Sequence, residues 1–171
     1  MLHHLAQHEA AELWEMARDH YVSASRLATW AGVCQDPQLR SMLGQHAQRH
    51  QQIGQQLHRF LQEPQVGGYQ GGFQGGWTTQ ATWQAGPYGI VGQTLTGTPA
   101  VGTGTMTAID ALAAASCLEA CKTFAVRCMW SATEASQPAR NFLYQCAGEH
   151  LRMAEEQYHW LERHGLYASP R

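Results

Sequence analysis

Positive charge is scarce in this sequence. Lys and Arg number 11 against 13 Asp and Glu, the four types together make up only 14% of the 171 residues, and the formal net charge is −2. No basic face is on offer to a nucleic acid or an anionic membrane, so neither is expected as a partner. Long apolar runs are missing too: no window holds the roughly 18 uninterrupted apolar residues of a membrane span. Residues 1 to 20, "MLHHLAQHEAAELWEMARDH", lack the cationic start and continuous apolar stretch of a secretion signal. These absences predict a soluble chain made in the cytosol. Cysteine is sparse and odd in number: Cys34, Cys117, Cys121, Cys128 and Cys146, four of them within helical pattern. A secreted disulfide framework is a poor description of that set, and free, mostly buried thiols are expected. The length fits one domain, 1–171, large enough to bury a core without staples.

What the sequence does hold is the three-and-four spacing of amphipathic helices, in four stretches. From about 5 to 34 the stripe is Leu13, Met16, Ala17, Ala24, Leu27 and Ala31. "QDP" at 35 to 37 breaks it, with Asp36 placed to cap the next helix and Pro37 at a first position where its missing N–H costs nothing. That second helix is predicted over 37–62, on Leu39, Met42, Leu43, His46, His50, Ile53, Leu57 and Phe60. A third is predicted over about 106–135, and "SQP" at 136 to 138 punctuates it as "QDP" did before. The fourth covers about 138–164, where Gly165 supplies a stop. Between the pairs, residues 64–105 have no helical period and hold most of the 17 glycines, interleaved with Tyr69, Phe73, Trp77, Trp83 and Tyr88.

The two halves resemble each other. With one gap near the proline, "QDPQLRSMLGQHAQRHQQIGQQLHRFL" sets against "SQPARNFLYQCAGEHLRMAEEQYHWL" so that Arg40 meets Arg140, Leu43 meets Leu143, Ala47 meets Ala147, His50 meets His150 and Leu61 meets Leu161. A duplicated hairpin follows. Neither hairpin can bury its own stripe, so the two pack face to face as an all-α, ferritin-like four-helix bundle, with 64–105 as its long Gly/aromatic-rich crossover.

The segments "DPQLRSML" and "QPARNFL...EHLRMAEEQYHWLERHGLYASP" are similar to the helical repeat of spore coat proteins of the coat-F type. That family's hairpins carry an Asn/Asp-Pro-x-Leu-Arg turn and close on an aromatic run and a Gly-Trp/Leu-Tyr-x-x-Pro ending. Here the ending is Tyr158, Trp160, Leu161, Gly165, Leu166, Tyr167 and Pro170. The second turn departs from the pattern with Ala139 in place of Leu, and the first hairpin has a diluted ending. The resemblance implies a structural component of a bacterial endospore coat, without catalysis or cofactor. It further implies synthesis in the mother-cell cytoplasm, deposition in the coat, and association with itself as a homo-oligomer or lattice and with other coat proteins.

Iron-oxidising bundles of this shape place a Glu from each of two helices and a Glu-x-x-His from each of the other two at mid-bundle, because hard bridged iron needs anionic oxygen. In this chain the histidines stand as His50 and His150, but the glutamate positions are Ala47 and Ala147. Counting about 15 residues back from each turn lands on His20 and Cys121, again not carboxylates. A softer site is the alternative: His20, His50, Cys121 and His150 fall near mid-bundle, and imidazole with thiolate suits zinc or copper. Against it stands plain core, since cysteine buries well as a small hydrophobe and a buried neutral histidine can be satisfied by a neighbour. No nucleophile–base pair or inward carboxylate pair marks an enzyme. Glycine at the density of 65–80 forbids stable helix, and its aromatics offer rigid contact area, so Tyr69, Phe73, Trp77, Trp83 and Tyr88 are the candidate self-association residues. Cys34, beside the first turn, is a candidate intermolecular crosslink.

Overall fold

A computed structural model describes residues 7–62, 106–137 and 139–167. They form four helices, α1 (Gln7–Val33), α2 (Pro37–Gln62), α3 (Ala108–Glu134) and α4 (Ala139–Arg163), with no strand among the described residues. The all-α class expected from the periodicity is the class observed. The crossover expected at 64–105, with Tyr69, Phe73, Trp77, Trp83 and Tyr88, lies outside the described residues.

Each helix end has a local cause. Asp36 accepts from the Leu39 N–H at 2.6 Å and so caps α2. Thr107 caps α3: its hydroxyl accepts from the Asp110 N–H at 3.2 Å, while the Asp110 carboxylate accepts from the Thr107 N–H at 2.8 Å, a reciprocal capping box. At the end of α4, Gly165 takes φ +69°, a left-handed conformation that side chains disfavour. That turn brings the Leu166 N–H to the Leu161 carbonyl at 2.9 Å and the Gly165 N–H to the Glu162 carbonyl at 3.0 Å, satisfying the last carbonyls of the helix. It also folds the tail back, so that Tyr167 meets Tyr158 edge-on with centroids 5.1 Å apart and lies under the Lys122 ammonium.

Helices α1 and α2 pack along their length as one hairpin, and α3 and α4 as the other. The apolar interior falls into two clusters, each fed by all four helices, which is what makes the pair of hairpins a bundle. One holds Leu27, Leu39, Leu43, Leu118, Met153 and Trp160, near the α1–α2 turn. The other holds Leu13, Met16, Ile53, Leu57, Ala132 and Leu143, near the α3–α4 turn. The two turns therefore lie at opposite ends, and each full burial of a leucine contributes about 1.5–3 kcal/mol. Trp160 is fully buried and its indole N–H donates to Asp36 at 3.3 Å, pinning α4 to the first turn.

Candidate functional site

Between the two apolar clusters lies a layer that is polar yet sealed. His20 on α1, His50 on α2 and His150 on α4 are all within 1% of complete burial. Their ring centroids form a near-equilateral triangle with sides of 5.3, 5.1 and 5.0 Å. Phe124 of α3 packs on all three rings at 4.5, 5.0 and 5.0 Å. One turn earlier on α3, Cys121 comes close enough that one ligand atom each from His50, Cys121 and His150 lies within 4.8 Å of the others. Among the described residues this is the one group of three or more His, Cys, Asp or Glu side chains so clustered.

The hydrogen bonds fix how the rings are protonated. His20 Nδ1–H donates to the Met16 carbonyl at 2.7 Å, which leaves its Nε2 lone pair free to accept. His150 Nε2 lies 3.0 Å from that atom and so carries the donated hydrogen. His50 Nδ1 and His150 Nδ1 are then buried with no protein partner. An orphaned buried nitrogen costs about 1–3 kcal/mol, so the layer carries a liability that packing alone does not require. Burial and neighbouring positive potential keep the rings neutral. Desolvation lowers His20 to about 4, against a bond to Met16 that raises it. Desolvation and then His150 and His20 lower His50 to about 2. Desolvation, His20 and Arg49 lower His150 to about 3.

Soft donors continue from this layer toward the surface. Cys121 Sγ is 4.0 Å from Cys117 Sγ, and Cys117 Sγ is 3.8 Å from His46 Nδ1. His46 Nδ1 also accepts from the Gln157 amide at 3.3 Å, so its other nitrogen donates, at 2.7 Å, to Glu156, a carboxylate that is half exposed. The contact with Cys121, followed by burial, raises the Cys117 thiol well above its ordinary value. On the opposite side of the layer Cys146 bonds to Cys128 and is raised for the same two reasons.

The buried carboxylates lie elsewhere. Asp110, at the start of α3, accepts from the Gln35 and Asp36 N–H groups of the α1–α2 turn at 2.8 and 3.3 Å. Glu9, in the first turn of α1, accepts from the Ser136 N–H and hydroxyl of the α3–α4 turn, both at 2.8 Å. Each hairpin thus clasps the turn of the other. The chain repeat predicts the paired hairpins but not these clasps, because each joins residues 74 or more apart. "TAID" at 107 to 110 carries the only local signal, a capping box that marks Asp110 without showing its second role. Arg40 and Arg140, which the repeat aligns, play matching parts: Arg40 donates to the Cys34 carbonyl at 2.8 Å and Arg140 to the Ala135 carbonyl at 2.9 Å.

The four residues His20, His50, Cys121 and His150, expected near mid-bundle, are thus brought into one layer. Ala47 and Ala147 are buried, and no carboxylate joins the three clustered ligand groups, an arrangement unsuited to hard bridged iron. Cys34 is the candidate crosslink. It is fully buried, and burial and then the neighbouring Asp110 carboxylate push its thiol up to about 12, so a crosslink there requires the end of the hairpin to open. All five thiols are free and buried.

Outside the core, the outer face of α3 is unusually apolar. Ile109, Leu112, Val126, Met129 and Trp130 are exposed along it, with Val126 and Trp130 at 69% and 66%. No described helix is long and apolar enough to cross a membrane.

No curated protein and no solved structure matches the chain. Residues 109–171, which comprise nearly all of α3 and the whole of α4 with the tail that folds back at Gly165, match the model of the Coat F domain. The resemblance read in the second turn and the ending is thereby supported: the second hairpin matches the Coat F domain, in keeping with a spore coat protein of the coat-F type.

Proposed function

We propose that this chain is a non-enzymatic structural protein of the endospore coat, which associates with itself and with other coat proteins through its bundle surfaces and the Gly/aromatic stretch at 64–105. It is made in the mother-cell cytoplasm and deposited in the coat. The observation that carries this reading is the Coat F match over 109–171. Two features of the bundle support it. The histidine layer is closed to solvent, so a substrate has no access to its thiol and imidazoles. The outer face of α3 presents Val126, Met129 and Trp130 where a solvated helix would carry charge, and scattered apolar residues become a contact surface when they share one stripe.

A second copy of the chain is the proposed occupant of that face. Sedimentation of purified protein over a concentration series is expected to show reversible growth beyond the monomer. The double variant Val126→Asp, Trp130→Asp should lose most of that growth while keeping the wild-type helical signal, because both side chains stand outside the core. Replacing 65–105 by a short flexible linker should weaken assembly further. Full assembly retained in both variants would refute this role for the two surfaces.

A further inference from the structure

We propose that the mid-bundle layer is a binding site for monovalent copper, with His50, His150 and Cys121 as ligands and His20 closing the set. This goes beyond the coat role and does not depend on it.

Four observations lead there. The ligand atoms of His50, Cys121 and His150 already lie within 4.8 Å of one another in a fully buried cluster. His20 Nε2 offers a lone pair 3.0 Å from His150 Nε2, because its other nitrogen is committed to Met16. Shifting the His150 hydrogen from Nε2 to Nδ1, a change of tautomer that releases no proton, frees both facing lone pairs; two nitrogens bound to one ion at about 2.0–2.1 Å in tetrahedral geometry stand about 3.3 Å apart, close to this contact. His50 Nδ1 is buried with no protein partner, a polar atom in the cluster that packing alone leaves unsatisfied. Neutral imidazoles need release no proton to bind, and the only proton lost is that of the Cys121 thiol, which passes to bulk water. No electron is transferred when the ion is supplied as copper(I).

The choice of ion follows from charge. Imidazole and thiolate admit both zinc and copper, and hard ions are disfavoured because no carboxylate joins the cluster. Three neutral rings and one thiolate sum to −1. A monovalent ion makes the site neutral, whereas a divalent ion leaves an unpaired positive charge in a dry core. The charged groups acting on the layer make that worse for a divalent ion, since Arg49 acts on His150, Arg127 on His20 and Arg26 on His50. Asp19, paired with Arg127 and Arg18, is the one acidic group felt at His20.

A route inward exists. Glu156 at the surface holds His46, His46 faces Cys117, and Cys117 faces Cys121. Two sulfurs bonded to one ion at about 2.3 Å each lie about 3.8 to 4.6 Å apart, depending on the angle between the bonds. The Cys117–Cys121 separation of 4.0 Å falls in that range, so these thiols can hand an ion to the layer by exchange of one ligand at a time.

The test is an anaerobic titration of the full chain with copper(I) in competition with a coloured copper(I) chelator. The protein is expected to withdraw at least one ion per chain, develop an ultraviolet thiolate-to-copper band, and unfold at higher temperature. X-ray absorption of the loaded protein is expected to show nitrogen and sulfur neighbours together. Cys121→Ser should abolish the band and weaken binding by about 100-fold or more, while Cys34→Ser, at the far end of the bundle, should leave both unchanged. If Cys121→Ser fails to fold, Cys117→Ser serves instead: it should slow loading at least tenfold and leave a nitrogen-and-sulfur shell at equilibrium. A chelator that keeps all the copper, a shell of oxygen or of sulfur alone, or zinc bound more tightly with equal stabilisation would each overturn the proposal.

Discussion

Taking the metal-free protein from pH 7 to pH 5 is expected to remove about 6 kcal/mol of stability, enough to unfold a domain of ordinary 5–15 kcal/mol stability or bring it to the edge. The sign follows from the three buried rings. Desolvation above all holds His20, His50 and His150 at about 4, 2 and 3, below the ordinary 6.5 that they regain on unfolding. The unfolded chain therefore binds more protons throughout this window, and stability rises with pH. The contribution is fully present above about pH 6.5, then falls as each histidine protonates in the unfolded state, by about 1.4 kcal/mol per pH unit per ring. At pH 5 each ring has lost about 2 kcal/mol. Urea midpoints measured from pH 7.5 to 5 should fall with a slope that steepens to about three protons taken up on unfolding near pH 5. His50→Leu should reduce that slope by one proton. A flat midpoint across the range would show that the rings are hydrated rather than sealed.

The second large effect concerns the clasps. Asp110→Ala is expected to cost about 3–5 kcal/mol, since each buried N–H left without its acceptor costs about 1–3 kcal/mol. Its loss strands the Gln35, Asp36 and Thr107 N–H groups, which it accepts from at 2.8, 3.3 and 2.8 Å. Burial alone would raise the Asp110 carboxyl, but the bonds from Thr107, Gln35 and Asp36 outweigh it and the net shift is downward. Its stability contribution is therefore present above the ordinary carboxyl value of 3.8 and lost only below it, a window separate from that of the histidines. Urea unfolding at pH 7 measures the cost. Glu9→Ala should act in the same direction, since Glu9 holds the other turn through Ser136. A loss at Asp110 below about 1 kcal/mol, the worth of an ordinary cap, would mean that only its local role counts.

These two sites mark where sequence reading succeeds and stops. The stripes of the four helices, the Gly165 stop and the alignment of His50 with His150 are local or periodic features, visible because a helix repeats its facing residues every three to four positions. Counting back from each turn also brought His20 and Cys121 to the level of His50 and His150, since antiparallel partners in a hairpin share a level at equal distance from the turn. Phe124 escaped notice because its role depends on which helix faces α3 across the core. The clasps of Glu9 and Asp110 escaped for the same reason: a carboxylate in a first helical turn reads as a dipole partner until a distant turn is seen to rest on it. Cys34 stands beside a turn, and sequence does not show that the Asp110 end of α3 covers that turn. His46 lies on the α2 stripe, and only the assembled core shows it facing Cys117 of the diagonal helix α3.

The most direct measurement of the central claim, that this bundle is a coat component, is immunogold electron microscopy of sporulating cells carrying the chain. Label concentrated over the coat of the developing spore, and retained there after the mother cell lyses, is the predicted result. Label spread through the mother-cell cytoplasm, or confined to the spore core, would contradict it.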